Sequence, residues 1–313
     1  MAIIYIIKDA IESGFIWALL GLGVFISYRV LDFADLTVEG SLTLGGAISA
    51  SLILLQNSFF SNPIVAIIIA TIGGMLAGVV TGFLHAKLKI PGILSGIISM
   101  TALFSLNLLI MQKNSLYIGT SKTIYDYFDV FFKNVFNITN PELLKFLSKV
   151  SASFLIILIV VLIIYYFFGT ELGMSIRATG NNQNMARAQG INTNRMIILG
   201  LAISNGIVAI AGALYVECYR IANMDLGRGS IVIGLASIII GEVLIGKVTF
   251  KRWLIAVIVG TIIFQIIIGL ALLIGFSANN LKLLQAILIT FILAFPVLKP
   301  LIKSLKGEKN VKN

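Results

Sequence analysis

Apolar runs near 14–31, 37–56, 63–84, 92–111, 151–168, 196–217, 230–246, 253–275 and 281–298 dominate the chain. Each is close to the roughly 17–25 residues that cross a bilayer core as a helix. The pattern predicts an all-α polytopic membrane protein with about nine transmembrane helices. Gly, Ser and Thr break up the runs at 14–31, 37–56 and 230–246, which marks these as interrupted helices. Ahead of the first run, Ile3, Ile4, Ile7 and Ile11 share one helical face, with Lys8, Asp9 and Glu12 elsewhere. That spacing predicts an N-terminal interfacial helix. No basic n-region or small-residue cleavage site suggests a signal peptide there.

Two hydrophilic stretches separate the runs. In 112–150, Tyr125, Phe128, Phe132, Val135 and Phe136 recur at helical spacing, and Thr139-Asn140-Pro141-Glu142 reads as a capped helix start with Pro at its first position. Leu143, Leu144 and Leu147 face away from Lys145 and Lys149. An amphipathic segment on the membrane surface is expected, with docking of an external partner as the alternative. The second stretch, 169–195, carries Asn181 and Asn182 as cap candidates, about two helical turns, and Gly190 as a stop. The whole is a single transmembrane domain, 1–313: first half 14–111, outer loop 112–150, linking span 151–168, loop 169–195, second half 196–298 and basic tail 299–313.

Composition narrows the class. With 58% apolar and 12% charged residues, and a mean hydropathy of +1.03, the chain is no soluble enzyme, disordered protein or fibre. One cysteine, Cys218, and one histidine, His85, leave no basis for a disulfide framework or a metal site. The net charge of +10 matters through its placement rather than through nucleic acid, for which no role is expected. Putting the lysine-rich tail in the cytoplasm places Arg29, Lys87, Lys89, Arg177, Arg187, Arg195, Lys247, Lys251, Arg252 and five tail lysines on that side, fourteen of the 23 basic residues. The short outer segments keep Lys8, Arg220, Arg228 and Lys282. A multi-pass membrane protein with its C-terminus in the cytoplasm is expected, in contact with membrane lipid.

Asp35-Leu36-Thr37-Val38-Glu39-Gly40-Ser41 has a counterpart in Asp225-Leu226-Gly227-Arg228-Gly229-Ser230, offset by 190 residues. The two copies enter from opposite sides in this topology, which predicts an inverted internal repeat with a pathway between the halves. Lipid offers freed backbone no partners. Asp35, Thr37, Glu39, Ser41, Asn223, Asp225, Arg228 and Ser230 are therefore pathway candidates, with helix capping as an equal reading for Asp35 and Asp225. Glu242, a deep carboxylate beside Lys247, joins them as a gate or a structural ion pair. Gly74, Gly78 and Gly82 form a close-packing face. His85 is expected to be a solvated helix-end residue. Gly241 to Lys247 approaches a phosphate-binding loop, but Val248 stands where Ser or Thr should hold magnesium, and no nucleotide site is expected.

The 169–195 loop, Arg177-Ala178-Thr179-Gly180-Asn181 through Ala186 to Gly190-Ile191-Asn192, resembles the coupling loop of ABC importer permeases. Tyr28 to Gly46 and Gly241-Glu242-Val243-Leu244-Ile245-Gly246 resemble segments of the branched-chain amino acid and ribose type permeases, and Asp-Leu-Thr-Val-Glu-Gly-Ser is closest to a subgroup linked with aromatic amino acid uptake. The loop departs from the Glu-Ala-Ala form of the best-known importers. The resemblance implies a permease subunit that imports a small solute, most of all an amino acid, by alternating access. It also implies a second copy in a homodimer, a cytoplasmic ATP-binding cassette ATPase that holds ATP and magnesium, and an external substrate-binding protein. No cofactor and no catalytic residue are expected in this chain. Arg177, Gly180, Asn181, Asn182, Met185, Ala186, Arg187, Gly190 and Ile191 would form the ATPase contact. An ion-gradient-driven secondary transporter is the alternative; an intramembrane enzyme and an exporter subunit fit less well.

Overall fold

The computed structural model describes residues 2–55, 59–138 and 140–274, together with 283, 285–287, 289, 290 and 294. Helix α1 (Ala2–Phe25) continues into a π-helical turn, Ile26–Val30. Next come α2 (Thr37–Ile53), α3 (Pro63–Ala86) and α4 (Gly92–Met111), then strand β1 (Ser115–Tyr117) and α5 (Ile124–Phe136). The chain goes on through α6 (Pro141–Phe167), α7 (Glu171–Asn181), α8 (Gln183–Ala188) and α9 (Thr193–Tyr219). Strand β2 (Ile221–Asn223), α10 (Ser230–Ile245) and α11 (Phe250–Leu273) complete the described elements. β1 and β2 pair antiparallel, with Leu116 opposite Ala222. This sheet marks one end of the molecule and α8 the other.

Six helices among the described residues are long and apolar enough to cross a membrane: Tyr5–Val30, α3, α4, α6, α9 and α11. Their burial separates core from periphery. α9 is enclosed on nearly every face, with Leu201, Val208 and Leu214 packed against Leu19, Leu22 and Phe25 of α1 and Val257 of α11. α9 also buries Ser204, Asn205 and Glu217, polar groups that lipid would leave without partners, so its place is inside the protein. α3, α4 and α6 instead expose Leu76, Val80, Leu106, Leu109, Leu162 and Ile163, an apolar outer surface suited to lipid.

Small residues let α3 and α9 approach closely. A Cβ on Gly74, Gly78 or Gly82 would overlap Asn205 and Ala209, the Leu201 carbonyl, or Ile198 respectively, so the expected packing face is where the sequence pattern puts it. Because a Gly78 side chain would meet backbone, Gly78→Leu has no rotamer escape. We expect that variant to lose its monodisperse peak in detergent, whereas Leu76→Ala, on the exposed face, keeps it.

Three sequence expectations need correction. Residues 1–13 do not form a separate interfacial helix, since α1 runs unbroken from Ala2 into the first span. The apolar content of 14–25 and the amphipathic content of 2–13 are two ends of one helix, and Gly14 at their junction stays helical, packed against Ile262 of α11. Likewise the 141–150 segment is the first turns of α6, continuous with the expected 151–168 span. Asn140 caps this helix by accepting from the Glu142 and Leu143 amides. The count also falls: α2 has 17 residues and α10 has 16, which at 1.5 Å per residue reach roughly 24–26 Å, short of a bilayer core of ~30 Å. The expected span at 281–298 and the tail 299–313 lie largely or wholly outside the described residues.

Candidate functional site

The α8 end is built from caps. Asn182 accepts from the Met185 amide and so starts α8, while Asn181 is the last residue of α7. At the other end Gly190 takes φ +82°, its amide donates to the Arg187 carbonyl and the Ile191 amide to the Ala186 carbonyl, the paired bonds of a Schellman stop. Asn192 then caps α9 through the Arg195 amide. Ala186 is buried and anchors this short helix, and Arg187 Nε donates to Thr193 Oγ1 at 2.8 Å. Met185 stands out from it, 58% exposed. The result is a fixed knob with one apolar tip.

Behind the knob, α7 lies on the turn that ends the first span. Gly180 is pressed against Val30 and Leu31 so closely that a Cβ would overlap the Val30 carbonyl. In that same turn Arg29 Nη2 donates to Glu242 Oε2 at 2.6 Å, and Trp253 Nε1 donates to Glu242 Oε1 at 2.9 Å. Arg177 stacks over Phe250, 5.0 Å from the ring centre. A cavity of about 590 Å³ lies among these groups, lined by Arg29, Asp32, Arg177, Asn181, Phe250 and Trp253. Of the two readings open for Glu242, the geometry is that of an ion pair; it joins the turn after α1 to the end of α10 and the start of α11. Arg29 and Trp253, its partners, escape sequence reasoning because nothing in their spacing links positions 29, 242 and 253.

Asp35, Thr37 and Ser41 sit in a buried hydrogen-bond network. Asp35 Oδ1 accepts from the Thr37 amide at 2.9 Å and Oδ2 from Asn205 Nδ2 at 2.6 Å. Ser41 Oγ donates to Asn205 Oδ1 at 2.7 Å, and the Thr37 and Thr81 hydroxyls lie 2.7 Å apart. These groups satisfy the freed start of α2 from inside the protein. His85 is also tied down, with Nδ1 2.8 Å from the Ile90 carbonyl and its ring edge-on to Phe33.

Glu39 and Arg228 belong elsewhere. After β2 the chain turns inward, with the Gly227 amide donating to Thr43 Oγ1 and the Gly229 amide to Glu39 Oε1 at 2.9 Å. Glu39 thus faces the start of α10. From this level α2 runs towards the sheet end, where Ile53 packs with Met111 and Ala222, and α10 runs the other way to Glu242. Two short helices therefore begin beside each other and point apart. Ser230 is buried at the α10 start, while Asn223 and Asp225 are exposed, Asp225 3.1 Å from Arg228. Glu39, Thr43, Met100, Thr101, Phe104, Asn107, Met224 and Arg228 line a cleft of about 240 Å³.

At the sheet end Glu217, only 1% exposed, accepts from the Ile124 amide at 2.8 Å and holds the start of α5. Arg220 donates to both Asp126 oxygens and to the Gly119 and Ser121 carbonyls. Tyr125 turns inward, within 3.1 Å of Ser153 Oγ, and burial pushes its phenol above the ordinary tyrosine range. Tyr127, Val130, Phe131, Val135 and Phe136 remain exposed. The 115–136 segment is thus clamped to α9 rather than loosely tethered. We expect Arg220→Ala to make it several-fold more susceptible to limited proteolysis, with cleavage confined to 112–140.

Comparison with known proteins bears on this arrangement. The family model for the branched-chain amino acid transport system permease component matches residues 6–293. A tyrosine transport system permease protein of Clostridioides difficile is 36% identical over 288 residues, 92% of this chain and 90% of the relative. The ribose import permease protein of Escherichia coli is 26% identical over 252 residues, 80% of this chain and 70% of its own. The D-allose transport system permease protein of the same species is 30% identical over 273 residues, 85% and 72%. No solved structure matches the chain significantly. With its membrane-spanning helices and a match over nearly its full length, the chain belongs to the branched-chain amino acid transport system permease family.

Proposed function

We propose that this permease is the membrane subunit of an ATP-driven importer and carries an amino acid into the cytoplasm. The observation that carries the reading is the knob at α8, capped at both ends and backed by Gly180 against the 26–31 turn. A partner ATPase would grip the knob. Its movement would pass through α7 to that turn and, through Arg29 and Glu242, to the foot of α10. ATP binds the partner, so the shift between outward and inward states must come from contacts that differ between those states at the knob. ATP and magnesium belong to the ATPase.

In the same reading two copies form the pathway, the α8 end and the C-terminus face the cytoplasm, and the sheet end receives solute from an external binding protein. The opposed starts of α2 and α10 fit two halves of inverted topology. The similarity to a tyrosine transport permease favours an aromatic amino acid over a sugar. Uptake measured in proteoliposomes with the ATPase and the binding protein tests the whole: it should require ATP and persist with a protonophore. The gradient-driven alternative needs a carboxylate that can take up an ion, and the enclosed Asp35 and Glu217 are both engaged as hydrogen-bonded braces. Uptake without the ATPase that collapses with a protonophore would establish that alternative instead.

A further inference from the structure

The cleft beside the α10 start has a chemical composition of its own. One wall is apolar, with Met100, Phe104 and Met224; the other holds one carboxylate, Glu39, and one guanidinium, Arg228. Asn107 is 1% exposed and donates through Nδ2 to the Gly40 carbonyl at 3.2 Å. That bond fixes its amide orientation and leaves Oδ1 buried with no hydrogen-bond partner. A buried carbonyl without a donor costs stability unless something fills the role. At about 240 Å³ the space falls below the roughly 300–1,000 Å³ of drug-sized sites and suits a smaller solute.

We propose that this cleft is a solute subsite of the permease itself, built for a zwitterionic α-amino acid with an apolar or aromatic side chain. Arg228 takes the carboxylate, with the paired donors that suit planar anions. Glu39 and Asn107 Oδ1 take the ammonium, and Phe104 with the two methionines receives the side chain. Arg228 also pairs with Asp225 at 3.1 Å and Glu39 also accepts from the Gly229 amide; a neutral sugar offers neither a carboxylate to the one nor an ammonium to the other, and so gains less from the cleft than a zwitterion does. The cleft lies where α2 and α10 begin and diverge, so movement of α10 against α2 changes the distance from Arg228 to Glu39 and Asn107. The subsite rests on the importer reading only for its role in transport; its binding chemistry stands apart.

The test uses the full-length chain in lipid nanodiscs. In a Cys218→Ala background, Thr101→Cys puts a thiol on the exposed rim of the cleft. Labelling by a charged, membrane-impermeant methanethiosulfonate is followed with L-phenylalanine present. L-Phenylalanine should slow labelling, while phenethylamine and 3-phenylpropionate, each lacking one charge, should need at least about tenfold higher concentration for equal protection. Arg228→Gln should bring L-phenylalanine down to the level of phenethylamine, and Arg228→Lys should restore part of the difference. Arg228 is exposed, so neither change threatens the fold. Equal protection by D-ribose, no protection by any amino acid, or a thiol that the hydrophilic reagent never reaches would each overturn the proposal. Absent protection alongside intact ATP-dependent uptake sinks the subsite alone, whereas loss of that uptake requirement sinks the importer reading.

Discussion

Asp35→Asn should destabilise the fold by about 2–4 kcal/mol, although it changes one atom. The new amide can still accept from the Thr37 amide through its oxygen, but its NH2 group then meets the Asn205 NH2 group, where a 2.6 Å bond stood. Two buried donors are left facing each other, and each unsatisfied group costs roughly 1–3 kcal/mol. The swap Asp35→Asn with Asn205→Asp reverses the direction of that bond. Its new carboxylate at 205 still accepts from Ser41, but it sets an oxygen against the Leu201 carbonyl where Asn205 Nδ2 donated, so the recovery is partial. Thermal unfolding in detergent should therefore show a large loss for the single variant and partial recovery for the pair. Equal melting of wild type and Asp35→Asn would mean that the network does not hold α2 in place. The design depends on direction as well as contact, which is why charge removal alone does not predict the outcome.

Gly180→Leu should reduce ATP-driven uptake at least about tenfold while leaving the permease inserted. The added side chain meets the Val30 carbonyl and Leu31 backbone, which cannot rotate aside, so α7 must lift from the 26–31 turn. Packed interiors transmit such displacement rather than absorb it. Gly190→Ala provides the contrast. Nothing lies within 4 Å of that position, and the cost is confined to the left-handed backbone, roughly 1–2 kcal/mol. Its effect on uptake should be clearly smaller. ATPase activity and solute uptake, measured on the same proteoliposomes, separate the cases: Gly180→Leu should hydrolyse ATP without matching transport. Full coupling in that variant would remove α7 from the route between knob and helices.

Much of the knob was legible from residue order. Asn182 and Gly190 are local signals that act within four residues of themselves, so that cap and that stop fall where their types predict, while Asn181 ends α7 and Asn192 caps α9. The α3 glycine face was equally readable because 3.6-residue periodicity puts Gly74, Gly78 and Gly82 in one line. Reading failed where continuity decides. Amphipathic residues 2–13 resemble an interfacial helix in isolation, yet they extend the first span because Gly14, packed against Ile262 of α11, does not end the helix. Glu217 carries no local signal of its role; only the folded chain brings Ile124 back to it across 93 positions.

The pathway candidates divide along the same line. Residue types alone marked Asp35, Glu39 and Arg228 as unusual, since charge inside an apolar chain demands a partner. They could not say which partner. Asp35 finds Asn205, 170 positions away, and becomes structural; Glu39 finds Gly229 and the cleft with Arg228. The sequence by itself determined the class of protein, its apolar helices and the capped loop, because hydropathy, periodicity and capping are short-range properties. Only the tertiary structure decided which polar residues are buried braces and which line open space, because hydrogen-bond direction and enclosure arise when distant helices meet.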